Sequence, residues 1–177
     1  MRVLLCALLA TSVTSVTPAP AAAQLPRGHA TDVSNDTIRA FVSRAPAGRV
    51  SDQAIRMVDV GSYNVGVGVV HRVAMVQGAI EHSRITEVYH VISGSGVLVT
   101  GGTLTDTATA AATSQVVQVL NGPSTNGRTI EGGESRRIGP GDVVIIPPNT
   151  PHWFSSVEGE IVYLVVRFDP DKVVNLK

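Results

Sequence analysis

The stretch GAIEHSRITEVYHVISGSG, residues 78–96, places two histidines and a glutamate between a glycine and a Gly-Ser-Gly turn. Its valine, isoleucine and tyrosine content is typical of β-strands. Two strands, AMVQGAI and EVYHVI, are predicted here, and residues 83–86 between them are enough to reverse the chain. His82 and Glu87 would then be cross-strand neighbours, with Cβ atoms on the order of 5 Å apart.

Side-chain alternation divides the strand EVYHVI into two faces. Glu87, Tyr89 and Val91 share one face, and His90 lies on the other. Tyr89 faces inward in this interpretation, either as a hydrogen-bond donor to a ligand or as a buried tyrosine that anchors the barrel. His90 and Arg72 are expected on the outer face of a sheet.

Other valine- and isoleucine-rich runs follow Val50, separated by glycine, proline and asparagine. They are IRMVDV, YNVGVGVVHRVAMV, GVLVT, QVVQVL, DVVIIP and EIVYLVVRF. Several short strands with regular turn signals predict an antiparallel sandwich or barrel. Residues 103–114, TLTDTATAAATS, have few bulky apolar groups and are expected to form a long surface loop.

The N-terminal part of the chain has a different character. Arg2, the short apolar run VLLCALLA and the small-residue stretch APAAAQ predict a signal peptide over residues 1–23, cleaved between Ala23 and Gln24. An uncleaved anchor is the alternative. Cleavage implies a secreted or periplasmic protein with no membrane segment, and one without cysteine, since Cys6 is the only cysteine.

Residues 24–50 are predicted to form a linker and one short amphipathic helix. Ser34 and Asp36 are candidate N-caps, apolar residues follow at helical spacing, and Pro46 and Gly48 end the run. We expect the helix to pack on the outside of a barrel formed by residues 51–177.

Size and charge limit the function classes. The chain has 177 residues, which suits one domain with a substantial core. Lysine plus arginine equals aspartate plus glutamate at 14 each, so no net field favours nucleic acid or an anionic membrane. The expected partner is a small molecule that is uncharged overall.

A second polar group lies in GPGDVVIIPPNTPHWFS, residues 139–155. A strand starts after Gly141, and a tight turn follows through Asn149, a residue type that tolerates positive φ. His152 opens the next strand on a rigid corner, beside the hydrophobic side chains of Trp153 and Phe154.

The two stretches together resemble the two motifs of a single-domain cupin, which implies an all-β, antiparallel jelly-roll barrel. His82, Glu87 and Gly94 match the first motif, and Gly141, Pro147 and His152 match the second. The resemblance covers roughly residues 60–168. Ala74 and Asn149 replace motif glycines, Ser156 replaces an asparagine, and Ile80 stands where the family has its first histidine.

The resemblance implies a metal site made of His82, Glu87 and His152. Two imidazoles and a carboxylate are similar to the facial triad of non-haem iron sites, and manganese, zinc or nickel would also accept them. A metal-free pocket is the alternative. Ile80 is expected to line the site as an apolar wall, and His71 is either a fourth ligand or a structural histidine.

The function implied is binding of a divalent metal and a small organic ligand. An enzyme of this kind would be an oxygenase, isomerase or decarboxylase, with Tyr89 as a catalytic hydrogen-bond donor. A non-catalytic binding or structural protein is the competing class. The valine-rich strands offer more apolar surface than one barrel interior needs, which predicts a homodimer.

Overall fold

The structure is a computed structural model that describes residues 29–176, so the predicted signal peptide lies outside the described residues. The first element is helix α1, Asn35–Ser43. Ser34 caps it as predicted, since its Oγ accepts a hydrogen bond from the backbone N–H of Thr37 at 3.1 Å. The helix packs on the outside of the first two strands, where Gln53 Nε2 donates to the carbonyl of Phe41 at 2.9 Å.

Strands make up most of the remaining described chain. They are β1 Ser51–Asp59, β2 Asn64–Val73, β3 Ala79–His82, β4 Thr86–Thr100, β5 Thr103–Leu104, β6 Ala108–Thr109, β7 Ser124–Gly127, β8 Ile130–Glu131, β9 Glu134–Ile138, β10 Val143–Ile146 and β11 His152–Asp169. Within residues 29–176, no helix is long and apolar enough to span a bilayer.

All strand pairs of the described residues are antiparallel; the long strand β11 is central to the main sheet, and β5 and β8 form a separate two-stranded sheet. Strand β11 pairs with β2, β3 and β4, while β4 also pairs with β9 and β10. Neighbouring strands of the main sheet follow the order β1-β2-β11-β3-β7-β6. The predicted all-β, antiparallel fold with one short N-terminal helix is therefore confirmed.

The barrel interior is filled by inward side chains of β4, β10 and β11. Tyr163 is fully buried, with ring centroids 4.4 Å from Tyr89 and 5.8 Å from Phe154. Gly94, the motif glycine, has φ 72°, and a Cβ there would collide with the carbonyl of Glu160. The predicted strands EVYHVI and GVLVT are thus one strand, β4, irregular at this glycine.

Two local predictions are wrong. The run QVVQVL is not a strand, because Val117–Asn121 form a π-helix. Ser114 starts the helical turn, since its carbonyl accepts from Gln118 N and its Oγ from Val117 N. The expected loop over residues 103–114 contains β5 and β6, which pair with β8 and β7.

Candidate metal centre and its cavity

The three predicted metal ligands come from three strands. His82 ends β3, Glu87 lies near the start of β4, and His152 begins β11. Strand β11 pairs with both of the others, matching His152 with Ile80 at one end and Arg167 with Glu87 at the other. The structure thus brings the three side chains together in the barrel interior.

The predicted hairpin between His82 and Glu87 is wrong. β3 pairs with β7 and β11 and has no pairing with β4, because β11 pairs with each of them and lies between them. After His82, the N–H of Ser83 donates to the carbonyl of Pro123 at 3.0 Å. The two side chains still meet, because both point into the same interior.

The ligand atoms form a compact, buried cluster. Nε2 of His82 lies 3.6 Å from Glu87 Oε2, and Nε2 of His152 lies 3.4 Å from the same oxygen. One candidate ligand atom from each residue lies within 4.8 Å of the other two. Atoms bound to one ion at about 2.1 Å lie about 3 to 3.5 Å apart, so only small movements would make these three residues a metal site.

The tautomers of both histidines follow from their outer partners. Ser124 Oγ donates its proton to the carbonyl of Gly122 at 2.8 Å, so it accepts from Nδ1–H of His82, also at 2.8 Å. The Nδ1–H of His152 donates to the carbonyl of Thr150 at 3.0 Å. A proton on Nδ1 leaves Nε2 of each neutral imidazole with a lone pair directed toward Glu87.

Burial keeps at least one imidazole neutral. It lowers the pKa of His152 to about 4, even though the nearby Glu87 carboxylate acts in the opposite direction. At neutral pH its lone pair therefore faces a carboxylate oxygen in a site from which water is largely excluded. A cation between these atoms would remove the repulsion, so the arrangement suits a metal ion.

The other oxygen of Glu87 has a cationic partner that the sequence did not predict. Arg167 Nε donates to Oε1 at 2.8 Å, and the terminal nitrogens of Arg167 donate to both oxygens of Asp52 at 3.2 and 2.6 Å. Burial raises the pKa of Glu87, but the Arg167 guanidinium, helped by the imidazoles only when they are protonated, holds that pKa well below its usual range. Glu87 is thus ionised and already paired on one side.

Tyr89 faces inward, as side-chain alternation predicted. Its hydroxyl donates to Glu87 Oε2 at 2.8 Å, and burial raises its pKa well above the usual value. Tyr89 therefore remains a neutral donor that orients the carboxylate. Its role as a donor to a ligand stays a prediction. His90 is exposed, as expected.

The predicted orientation of β2 is wrong. Arg72 points inward and lines the cavity, whereas His71 points outward, with Nε2 2.9 Å from Glu160 Oε2. The reason lies at Gly68, where a Cβ would lie 3.3 Å from Val165 Cγ1. Glycines occupy the crowded inner positions, and His71 contributes nothing to the cluster.

The cluster opens into a cavity of about 410 Å³, a size that suits a small ligand. Ile80 lines it, as predicted. The π-helix contributes Leu120 and Asn121 to the wall, and Val116, which precedes the helix, also lines it. Gly122 ends that helix with φ 61° and accepts the proton of Ser124, so the helix end is connected to the orientation of His82.

Comparisons with known proteins agree with this architecture. Residues 116–176 match the family described as AraC-like ligand binding domain. No curated protein matches the chain. This match covers about a third of the chain and supports the predicted cupin-type fold.

Three solved structures show the range of similar shapes. A DMSP lyase from Ruegeria pomeroyi is 16% identical over 82% of this chain and 68% of that chain, with a TM-score of 0.49. A double-stranded β-helix protein from Klebsiella pneumoniae is 15% identical over 73% and 84%, with a TM-score of 0.45. A putative mannose-6-phosphate isomerase from Ralstonia eutropha is 16% identical over 72% and 93%, with a TM-score of 0.41. Identities this low say nothing about activity.

Proposed function

We propose that this protein binds one divalent metal ion through His82, Glu87 and His152, and a small organic ligand beside it in the cavity. The observation that carries the proposal is the convergence of two imidazole Nε2 atoms on one carboxylate oxygen, with both Nδ1 atoms held from outside. Histidines that bind metals are held in this way by outer hydrogen bonds.

Three protein ligands leave coordination positions for a ligand. When bound, the metal supplies a Lewis acid or a site for oxygen activation. The protein's own residues would orient the ligand and exclude water, since all three proposed metal ligands are buried. Oxygenase, isomerase and decarboxylase chemistry fit such a site, and a binding protein without turnover is the competing class.

Elemental analysis of the purified protein tests the metal. We expect about one ion per chain in the wild type and none in His82→Ala or His152→Ala, because each variant removes one of three ligands. His90→Ala is the matched control and should retain the ion, since His90 is exposed. Equal metal content in wild type and folded His82→Ala would refute the proposal.

A turnover measurement distinguishes an enzyme from a binding protein. Candidate organic ligands that stabilise the metal-loaded protein would be incubated with it under air and under argon. A ligand consumed only in air indicates an oxygenase, and one consumed in both indicates an isomerase or decarboxylase. Binding with no product in either indicates a binding protein.

We also propose that the protein is exported and dimeric. Export rests on residues 1–23, and intact mass should show a chain that begins at or near Gln24.

Dimerisation rests on the outer faces of β10 and β4, where Val143 is 60% and Ile145 67% exposed. Light scattering should give twice the mass of the mature chain, and a monomer mass at micromolar concentration would contradict it.

A further inference from the structure

Arg72 lines the same cavity as the proposed metal ligands, and no described carboxylate lies within ion-pair distance of it. Its Nε donates to Tyr163 Oη at 2.8 Å, and its Nη1 donates to Gln77 Oε1. The guanidinium carbon lies 5.0 Å from the centroid of the Phe154 ring. These contacts fix the orientation of the side chain, but its charge has no direct ion pair among the described residues, and Asp52 acts on it only from a distance.

Arg167, the other arginine of the cavity, has the opposite environment. It forms ion pairs with both Asp52 and Glu87, and only 6% of its side chain is exposed. Among the described residues, none provides an acceptor for Nη2 of Arg72. A guanidinium whose direct hydrogen-bond partners are neutral, with free N–H groups at the edge of a cavity, is suited to an anion.

The charge of the cavity wall leads to the same conclusion. Arg72 and Arg167 balance Asp52 and Glu87, so the ionised side chains of the wall sum to zero. A divalent ion at the proposed site would leave two uncompensated positive charges in a largely buried space. Burial of unpaired charge is costly, so an anionic ligand would bind more favourably than a neutral one.

Arg72 and the metal ligands lie on one continuous wall. The hydroxyl of Tyr163 contacts Arg72, the Tyr163 ring lies tilted 4.4 Å from that of Tyr89, and the Tyr89 ring is 6.3 Å from that of His152. A ligand against this wall would have one end near each group.

We propose that the ligand of this cavity is a small organic acid whose carboxylate is bound by Arg72 while another of its oxygen atoms lies toward His82, Glu87 and His152. The free N–H groups on the terminal nitrogens of Arg72 match the two oxygens of a planar carboxylate. This inference names the chemical class of the ligand in the proposed function. Only the placement of the ligand beside the metal rests on that proposed function, and the contact with Arg72 does not.

Calorimetric titration tests the inference. The metal-loaded protein is titrated with short mono- and dicarboxylic acids carrying a hydroxyl or keto oxygen, each paired with its uncharged amide. We expect the wild type to prefer at least one acid over its amide by about tenfold or more. Arg72→Gln should lose most of that preference, and Arg72→Lys should keep part of it. Arg84→Gln is the control, since Arg84 is exposed and paired with Asp171.

Metal content, measured in every variant, separates this inference from the proposed function. If Arg72→Gln keeps its metal and loses the acid preference, the inference is supported. If wild type and Arg72→Gln show the same preference, or the wild type shows none for any pair, the carboxylate role of Arg72 is overturned while the metal site stands. Circular dichroism verifies that Arg72→Gln is folded, and Arg72→Lys provides the test if it is not.

Discussion

The two carboxylate oxygens of Glu87 lie in one cavity but have different surroundings. Around Oε1, donors and acceptors are matched, because Arg167 bonds both Glu87 and Asp52. Around Oε2, Tyr89 donates one hydrogen bond, and the Nε2 atoms of His82 and His152 both face the oxygen. The contacts of Oε1 are matched within the protein and stabilise the fold, whereas the proposed cation would complete those of Oε2.

The largest expected effect is a loss in the free energy of unfolding when the ion pairs of Arg167 are removed. Arg167→Met would leave Glu87 and Asp52 without their shared counter-ion, and breaking a buried ion pair costs about 3 to 5 kcal/mol in the free energy of unfolding. Arg84→Met removes an arginine that is 56% exposed and should cost less than about 1 kcal/mol. Urea unfolding of both variants measures the difference, and equal losses would show that the Arg167 network is not structural.

Acid should destabilise the metal-free protein through protonation of His152. The folded-state pKa of His152 is about 4 against an ordinary 6.5, so the unfolded chain binds a proton first as pH falls. Stability is full above about pH 6.5 and falls by about 3 kcal/mol down to about pH 4, since each pKa unit is worth about 1.4 kcal/mol. Glu87 stays ionised in this window, because its pKa is held well below its usual range.

Urea unfolding at several pH values, after metal removal with a chelator, measures this loss. His152→Gln should flatten the curve between pH 6.5 and 4. A wild-type curve with the same slope as that of the variant would contradict the assignment of a neutral, buried His152.

A smaller effect is expected from the outer partner of His82. Ser124→Ala removes the oxygen that holds Nδ1–H of His82, and loss of such a partner costs about 10- to 100-fold in metal affinity. Ser155→Ala is the control, since Ser155 is exposed and bonds a backbone carbonyl outside the cavity. Competition with a chromogenic chelator gives both affinities, and no difference between the two variants would mean that His82 is oriented by other contacts.

The smallest expected effect is a gain in metal affinity. Ile80 lines the cavity two residues before His82 and pairs with His152, so Ile80→His would place a third imidazole, and a fourth protein ligand, near the proposed ion. Metal affinity should rise by up to about tenfold, while ligand binding at the open position should weaken. Unchanged affinity in the same chelator competition would show that residue 80 cannot reach the metal.

Much of the site was predictable from local pattern. The alternation Glu87–Tyr89–Val91 identified the inner face of β4, and His90 lies outside as expected. Asn149 does adopt positive φ, at 59°, in the turn that positions His152. Such features depend on a few neighbouring residues, because a strand alternates its side chains and a tight turn restricts its residue types.

The inner faces of β2 and β11 could not be predicted in the same way. In β2 nearly all valines share the face of His71, so alternation favoured that face as the inner one, yet Arg72 on the opposite face lines the cavity. Alternation says which residues share a face, but it does not say which face is inside. Val65 and Val67 lie on the outside of β2, where they line a groove with Val33 of the N-terminal segment.

The sequence by itself determined an all-β cupin-type barrel, the inward orientation of Glu87 and Tyr89, and three candidate metal ligands in two motifs. Only the tertiary structure decided that Arg72 and Arg167 face inward, that β3 pairs with β7 and β11, and that residues 117–121 form a π-helix. The first group follows from local periodicity and motif spacing. The second depends on which strands become neighbours, since pairing across the barrel selects the inner face and the partners of each buried charge.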